Sequence, residues 1–214
     1  MRVSIIGSEG RLGSALKKVV NNKHEFIYCG SPECDNEAIE KSEVSILALP
    51  IPETIEILDK YSDGKLIIET CSVKAPFKKY KGNIISIHPL FGPQSYETRR
   101  KIIVAKDISI PDYGSVLSDI FPNHEFLEMD SDEHDKIMAI AQALPYFLSL
   151  SINIPEIDID MNSLNTLKML VNLKRSENND VMIDSIRYNP FVEIVINELI
   201  RNIMELKVMI SDEN

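Results

Sequence analysis

Cysteine, positive charge and long apolar runs are all scarce in this sequence, and each scarcity excludes a class of protein. The 214 residues include three cysteines, an odd number without zinc-type spacing, which argues for a reducing compartment and against a disulfide framework. Lysine and arginine number 23 against 33 aspartates and glutamates, so the net charge is −10. Such an acidic chain repels polyphosphate, and we expect no nucleic-acid partner.

The sequence also has no segment with the pattern of a membrane span or a signal peptide. No apolar run reaches the roughly 18 residues of a membrane span. The first residues have the pattern of a strand, without the charged and apolar regions of a signal peptide. We therefore expect a cytoplasmic protein with no membrane partner. Hydrophobic residues still make up 44% of the chain, enough to bury a globular core.

The first motif is a glycine-rich turn between an apolar strand, Val3–Ile6, and an amphipathic helical pattern. This order is the setting of a dinucleotide-binding fingerprint. Gly10 lets the backbone approach a pyrophosphate and Gly13 lets the helix pack closely on the strand, while the helix N-terminus offers amides and a positive dipole. The cofactor-binding residues predicted in this turn are Gly7, Ser8, Gly10, Arg11, Leu12 and Gly13.

The second predicted strand, Glu25–Cys29, bears on the choice of cofactor. An NAD site usually has an acid at the tip of this strand to bind the adenine ribose. Here Ser31 follows the strand, and Glu33 stands further along. Ser31 can donate to a 2′-phosphate with Arg11 as the counter-charge, so we expect NADP, with NAD as the alternative.

Further apolar segments alternate with helical ones up to residue 129. Strands are predicted at Val44–Leu49, Lys65–Glu69, Ile84–His88, Ile102–Ala105 and Glu125–Leu127. The alternation predicts an α/β fold with a doubly wound, mostly parallel Rossmann-type sheet. Ligands of such sheets bind beyond the carboxyl ends of the strands. The segments Leu49–Pro52, Thr70–Lys74 and His88–Pro93 should therefore face one another across a cofactor cleft.

His88 ends a β-branched strand and is followed by a loop containing Pro89, Gly92 and Pro93. A strand that ends on an imidazole before a rigid loop holds a titratable ring in place. His88 is therefore a candidate general base. The alternative is a histidine at the rim of the core with only a structural role.

From Asp130 onward the pattern becomes helical, which predicts a small all-helical domain at residues 130–214 after a dinucleotide-binding domain at residues 1–129. Asp130 and Glu133 have the spacing of a capping box, and Pro145 should kink the helix that follows. Helices are also predicted at Ser163–Arg175, Asp180–Ile186 and Phe191–Ile210. The last is apolar on most of its circumference, which predicts a homodimer through the helical domain.

Four motifs carry a resemblance to a known family. They are His88-Pro-Leu-Phe-Gly-Pro93, Cys71-Ser-Val-Lys74, Glu133-His-Asp135 and Gln142-Ala-Leu144. In this order and spacing they resemble prephenate dehydrogenases, the oxidoreductases of tyrosine biosynthesis. The resemblance covers residues 1 to about 150. It implies a nucleotide-binding domain, a helical dimerisation domain and an active site between them.

The resemblance also implies roles for single residues. His88 matches the catalytic histidine and Ser72 the serine that orients it. Leu49 and Pro50 match the loop under the nicotinamide, and Thr70 belongs to the next strand end facing the cofactor. His134 is interpreted as structural or next to the cofactor. No metal is expected.

Two departures concern the substrate. The family's second-domain histidine corresponds to Tyr146, whose phenol can still form a hydrogen bond but brings no charge. Strict register places Leu173 where the family has its substrate-binding arginine, so we assign that role to Arg175, with Lys174 beside it. Gln94 is a candidate neutral donor. The cluster Arg99–Lys101 is the alternative anion site.

The implied reaction is the oxidative decarboxylation of prephenate to 4-hydroxyphenylpyruvate, with hydride transfer to NAD(P)+. Because Tyr146 replaces the family's histidine, arogenate dehydrogenase is an alternative activity. A more distant alternative is an oxidoreductase of β-hydroxy acids. Such enzymes usually use a lysine on the second-domain helix, and Ala139–Ser149 contains none, which argues against this alternative. A non-catalytic NADP-binding regulatory module is the alternative that is not an enzyme, and the pair His88 and Ser72 argues against it.

Overall fold

The β-branched segments in the first part of the chain form the strands of a sheet. The computed structural model describes residues 1–212. Within them the strands are β1 (Arg2–Ile6), β2 (Glu25–Cys29), β3 (Val44–Leu47), β4 (Leu66–Glu69), β5 (Ile84–Pro89), β6 (Lys101–Ala105) and β7 (Glu125–Met129). The helices between them are α1 (Arg11–Val19), α2 (Pro32–Glu40), α3 (Ile51–Tyr61) and α4 (Tyr113–Ile120). The predicted α/β class is confirmed.

The strand order in the described chain is β2-β1-β3-β4-β5-β6-β7. Strands β1 to β5 are parallel to one another. The chain passes from β1 to β2 on one side and then to β3 on the other, so the order reverses at β1, where ligands of such sheets bind. Strand β6 is antiparallel to β5, and β7 is parallel to β6. Because Ile102 pairs with Pro89, β6 begins at the edge where β5 ends.

The central strands are buried on both faces, which explains their continuous apolar runs. One core cluster includes Ile5, Ile46, Ile68, Ile85 and Val104, all with 0% exposure. Burying each such side chain contributes about 1.5–3 kcal/mol. The strand ends that carry the candidate site therefore project from a rigid framework.

The described chain divides into two compact units, Met1–His134 and a second unit that begins at Asp135. The remaining helical elements are α5 (Ser131–Met138), a π-helical turn (Ala139–Ala143), α6 (Leu144–Ser151), α7 (Asn162–Ser176), α8 (Asn179–Arg187) and α9 (Val192–Asp212). A small apolar cluster of the second unit contains Ala139, Ala143 and Val192. No helix within residues 1–212 has the length and hydropathy needed to cross a membrane.

The start of α5 corrects one prediction. The backbone N–H of Ser131 donates to Asp107 Oδ1 at 2.7 Å, and its hydroxyl donates to Oδ2 at 2.7 Å. The carboxylate at this helix start thus comes from the turn after β6 and not from Asp130 or Glu133. The predicted capping box is wrong because a group distant in sequence occupies its place.

Pro145 follows a wide turn of the helix. The backbone N–H of Leu144 bonds to the carbonyl of Ala139, five residues earlier. Pro145 then lies in the first turn of α6, where a missing N–H needs no partner. The π-helical turn, a feature often found at functional sites, stands where the sequence predicted a kink.

Candidate active site

The turn after β1 lies directly against the end of β3. Gly7 has φ +75°, and a Cβ there would collide with the carbonyl of Ala48 and lie 2.9 Å from Leu49 Cδ2. Only glycine fits both the left-handed conformation and the close approach. Leu49 and Pro50 are half-buried at this point, and Pro50 is the N-cap of α3.

Helix α1 begins directly after the same turn. Gly10 is the N-cap of α1, and its N–H donates to the carbonyl of Gly7 at 3.0 Å. A Cβ at Gly13 would lie 2.7 Å from Ser8 Cα, so only glycine lets α1 begin this close to β1. Arg11 and Leu12 form the first turn of the helix. The helix N-terminus and a turn without obstructing side chains fit the pyrophosphate of a dinucleotide.

An acid lies close to the tip of β2. Ser31 is the N-cap of α2, and a hydrogen bond from its side chain lowers the pKa of the Glu33 carboxyl. In the sequence, Glu33 stands two residues after Ser31. The structure brings it to Ser31 because Pro32 starts α2 at once.

The same loop contains a disulfide that the cysteine count did not predict. Cys29 and Cys34 form a disulfide, with their Cα atoms 5.8 Å apart. Four residues lie between them, and the start of α2 turns Cys34 back towards the end of β2. Cys71 is free and buried.

Thr70 has a structural contact at the end of β4. It is buried, and its hydroxyl donates to the carbonyl of Leu47 at 2.6 Å. This bond joins the ends of β3 and β4. The predicted role of Thr70 in cofactor binding rests on its position at the carboxyl edge of the sheet.

His88 is held at the end of β5 by a second histidine. Its Nδ1 lies 2.9 Å from Nε2 of His134, and the two rings meet edge to face with centroids 5.1 Å apart. His88 is 8% exposed and His134 is fully buried. Burial, and after it the charges of His134 and Lys74, hold the pKa of His88 well below 6.5.

This arrangement keeps His88 in the form that a base needs. One ring nitrogen of the pair donates and the other accepts, so the accepting ring is neutral. Because its pKa lies well below 6.5, His88 is neutral at neutral pH. When Nδ1 of His88 carries the proton, its Nε2 presents a lone pair. An imidazole in that form can act as a general base.

A buried ion pair lies directly behind this histidine. Lys74 Nζ donates to Glu69 Oε1 at 2.6 Å and to the carbonyl of Ile87 at 2.6 Å, and both charged side chains have 0% exposure. The Ser86 hydroxyl also donates to Glu69 Oε1, and the Cys71 N–H donates to Oε2 at 2.8 Å. This network joins the end of β4 to the two residues that precede His88.

The other predicted residues of the first unit lie in loops at this edge. Ser72 is half-buried in a bend between Cys71 and Lys74. Gln94 is exposed in the turn region after β5, and Arg99 and Arg100 are exposed just before β6. The antiparallel return of β6 brings these basic residues to the edge that carries His88.

The predicted substrate residues of the second unit differ in their contacts. Gln142 Nε2 donates to the Tyr146 hydroxyl at 3.3 Å. Lys174 Nζ donates to the Ile152 carbonyl at 3.1 Å and to Asn153 Oδ1 at 3.0 Å, so its ammonium is engaged at the end of α6. Arg175 is exposed. No hydrogen bond or ion pair joins its guanidinium to another residue in the described part of the chain.

His134 and Lys74 were not predicted as site residues. Both stand inside motifs identified in the sequence, Glu133-His-Asp135 and Cys71-Ser-Val-Lys74. In the sequence, Lys74 could have been recognised as a cation that stands between two apolar strand segments. The contact of His134 with His88 spans 46 positions and has no local signature.

Comparisons with known proteins support the resemblance seen in the motifs. No family model matches the chain. A Methanocaldococcus jannaschii protein named as an arogenate/prephenate dehydrogenase is 21% identical over 196 residues, covering 75% of this chain and 44% of that protein. The chain spans about half the length of the curated relatives it matches.

Solved structures show the same fold. Prephenate dehydrogenase from Aquifex aeolicus, in complex with hydroxyphenyl propionate and NAD+, matches with a TM-score of 0.70 at 15% identity, over 100% of this chain and 91% of that one. Synechocystis arogenate dehydrogenase matches with a TM-score of 0.60 at 17% identity, over 100% and 93%. The fold and the motifs thus indicate the same group of proteins.

Proposed function

We propose that this chain, which resembles prephenate dehydrogenases in motifs and fold, is an NAD(P)-dependent dehydrogenase that converts prephenate to 4-hydroxyphenylpyruvate. The observation that carries the proposal is His88, a buried neutral imidazole held by His134 on a dinucleotide-binding sheet. Arogenate is the second candidate substrate, because Tyr146 stands where the family has a charged residue.

The proposed site residues have separate roles in the reaction. A bound nicotinamide supplies the hydride acceptor. Nε2 of His88 takes the proton from the ring hydroxyl of the substrate as the carbinol is oxidised. Ser72 orients either the imidazole or that hydroxyl. Loss of the ring carboxylate needs no dedicated acid, because it forms an aromatic phenol.

One assay tests the reaction and the cofactor together. NADH and NADPH production is measured from prephenate and from arogenate. We expect turnover of prephenate with a preference for NADP+, whose 2′-phosphate would be bound by Ser31 and Arg11. NAD+ is the alternative cofactor, because Glu33, which is bonded to Ser31, is an acid near the tip of β2 and could bind a ribose diol.

Glu33→Ala separates these cofactor alternatives. The substitution removes a negative charge. That charge repels the 2′-phosphate of NADP+, so NADP+ binding should be unchanged or stronger. The same charge can bind the ribose diol of NAD+. If Glu33→Ala weakens NAD+ binding, and NAD+ binds the parent more tightly, the NADP proposal is wrong. Cofactor binding without turnover of either substrate would favour the regulatory module.

Arg175→Ala is expected to raise KM strongly with a smaller change in kcat, because a carboxylate contact is shared by ground state and transition state. Losing a charge-assisted bidentate pair should lower kcat/KM by about 30- to 150-fold. Steady-state kinetics with prephenate measures this.

Lys174→Ala is the matched control, since the Lys174 ammonium already bonds to Ile152 and Asn153. A large effect of Lys174→Ala alone would move the substrate contact to the neighbouring residue. If neither variant matters, Arg99–Lys101 is the better candidate for the anion site.

Helix α9 supports a homodimer. Its exposed apolar side chains are Ile194, Ile200, Ile203, Met204, Leu206, Val208, Met209 and Ile210, each at least 49% exposed. A second copy of the helix is a natural cover for such a surface. Sedimentation at micromolar concentration should give about twice the chain mass of 24.2 kDa. An active, monodisperse monomer would contradict the proposal.

A further inference from the structure

Two cysteines enclose the loop that leaves β2. Cys29 is the last residue of β2 and is fully buried, whereas Cys34 lies in the first turn of α2 and is partly exposed. Their Cα separation of 5.8 Å is within the roughly 4.4–6.8 Å that a disulfide spans without backbone movement. The bond closes a ring around Gly30–Glu33.

This ring is connected to the glycine turn after β1. The Ser8 N–H donates to the Cys29 carbonyl at 2.8 Å. Gly30 lies so close to Glu9 that a Cβ at Gly30 would be 3.2 Å from the Glu9 Cβ. The ring contains Ser31 and Glu33, the residues placed at the ribose or 2′-phosphate in the proposed function. A change in the ring therefore acts on the adenosine end of the cofactor site.

The surroundings of the bond suit reduction. Asp35 Oδ1 lies 3.0 Å from Cys29 Sγ. Burial and the nearby Glu33 charge raise the pKa of Asp35, so this carboxyl is less acidic than an exposed aspartate. The exposed sulfur, that of Cys34, is the one that an external thiolate can reach.

We propose that Cys29 and Cys34 are a redox-active pair and that their oxidised form binds the cofactor more tightly than the reduced form. This inference rests on the proposed function. In the oxidised form both ends of Gly30–Glu33 are fixed, so binding has less of the loop to order. In the reduced form the loop must be ordered on binding, and the cofactor Kd rises about three- to tenfold.

The reductant is a dithiol. Its thiolate attacks Cys34 Sγ, and the bond to Cys29 breaks as a mixed disulfide forms. Cys29 leaves with the electron pair and takes a proton from water. The second thiol of the reductant then releases Cys34. The pair gains two electrons and two protons, and the dithiol becomes a disulfide.

The test compares the full chain after incubation with glutathione disulfide or with dithiothreitol. Reagents are removed, and thiols are counted in denaturant. Three cysteines with one disulfide predict one thiol per oxidised chain and three per reduced chain. NADP+ and NAD+ are then titrated by calorimetry. EDTA is present throughout, because the ligand atoms of Cys29, Cys34 and Asp35 lie within 4.8 Å of one another and can take up a metal when reduced.

We expect the reduced chain to bind the preferred cofactor three- to tenfold more weakly. Cys34→Ser cannot form the bond, so it should bind as the reduced chain does after either incubation. Equal affinities at thiol counts of one and three overturn the inference and leave the proposed function intact. Three thiols after glutathione disulfide overturn the disulfide itself. Failure to bind either cofactor in both states overturns the proposed function and the inference with it.

Discussion

His88→Asn is expected to lower kcat by roughly 100- to 10,000-fold, the contribution of a positioned general base. Asparagine can keep a hydrogen bond to His134 but cannot accept a proton from the substrate hydroxyl. The cofactor Kd should stay close to the parent value, because the dinucleotide site proposed here is formed by the glycine turn and the tip of β2. Stopped-flow kinetics and calorimetry measure the two effects separately.

His124→Asn is the matched control. Its ring nitrogens are buried, and neither has a hydrogen-bond partner among residues 1–212. The same substitution there should leave kcat close to that of the parent. Activity of His88→Asn within a few-fold of the parent would remove His88 from the mechanism.

The parent pH profile provides a second check on His88. Because burial and neighbouring charges hold its pKa well below 6.5, the imidazole stays neutral as the pH falls through 6.5. The acid limb of kcat/KM should therefore lie well below that value, since protonation removes the base. An acid limb near 6.5 or above would mean that another group limits the rate.

Lys74→Met is expected to destabilise the first unit by about 3–5 kcal/mol, because it leaves the Glu69 carboxylate buried without its cation. Methionine fills similar space, so the loss comes from the orphaned charge and not from a cavity. Urea unfolding measures the free energy. Adding Glu69→Gln removes that charge, and the double variant should show a coupling of about 1–3 kcal/mol.

Lys79→Met tests whether any lysine in an ion pair would give this result. Lys79 pairs with Asp59 at 2.8 Å, and both side chains are more than half exposed. Solvent screens such a pair, so the change should be far smaller. If Lys74→Met and Lys79→Met have equal effects, the buried pair does not stabilise the strand ends.

The sequence predicted the parts of the fold that have local causes. Apolar runs at β1, β3 and β5 have the composition of strands buried on both faces, and the glycines of Gly7–Gly13 are required by close backbone approach. His88 was identified from its place between a strand and a rigid loop. These features depend on neighbours within a few residues.

The remaining features depend on contacts between distant segments. Asp107 caps α5 from 24 positions away, and His134 reaches His88 across 46. No spacing rule predicts such contacts before the topology is known. The disulfide was missed for a different reason: an odd cysteine count argues against a framework of disulfides, but it does not exclude one pair brought together by the start of α2.

The reversed direction of β6 has a consequence for which positions of this protein can vary. The Leu90 N–H donates to the Lys101 carbonyl at 3.0 Å, so the segment between them leaves and re-enters the sheet at one point. Insertions or substitutions in such a closed loop are absorbed locally. Gln94, Arg99 and Arg100 can therefore vary while the strand that carries His88 keeps its register.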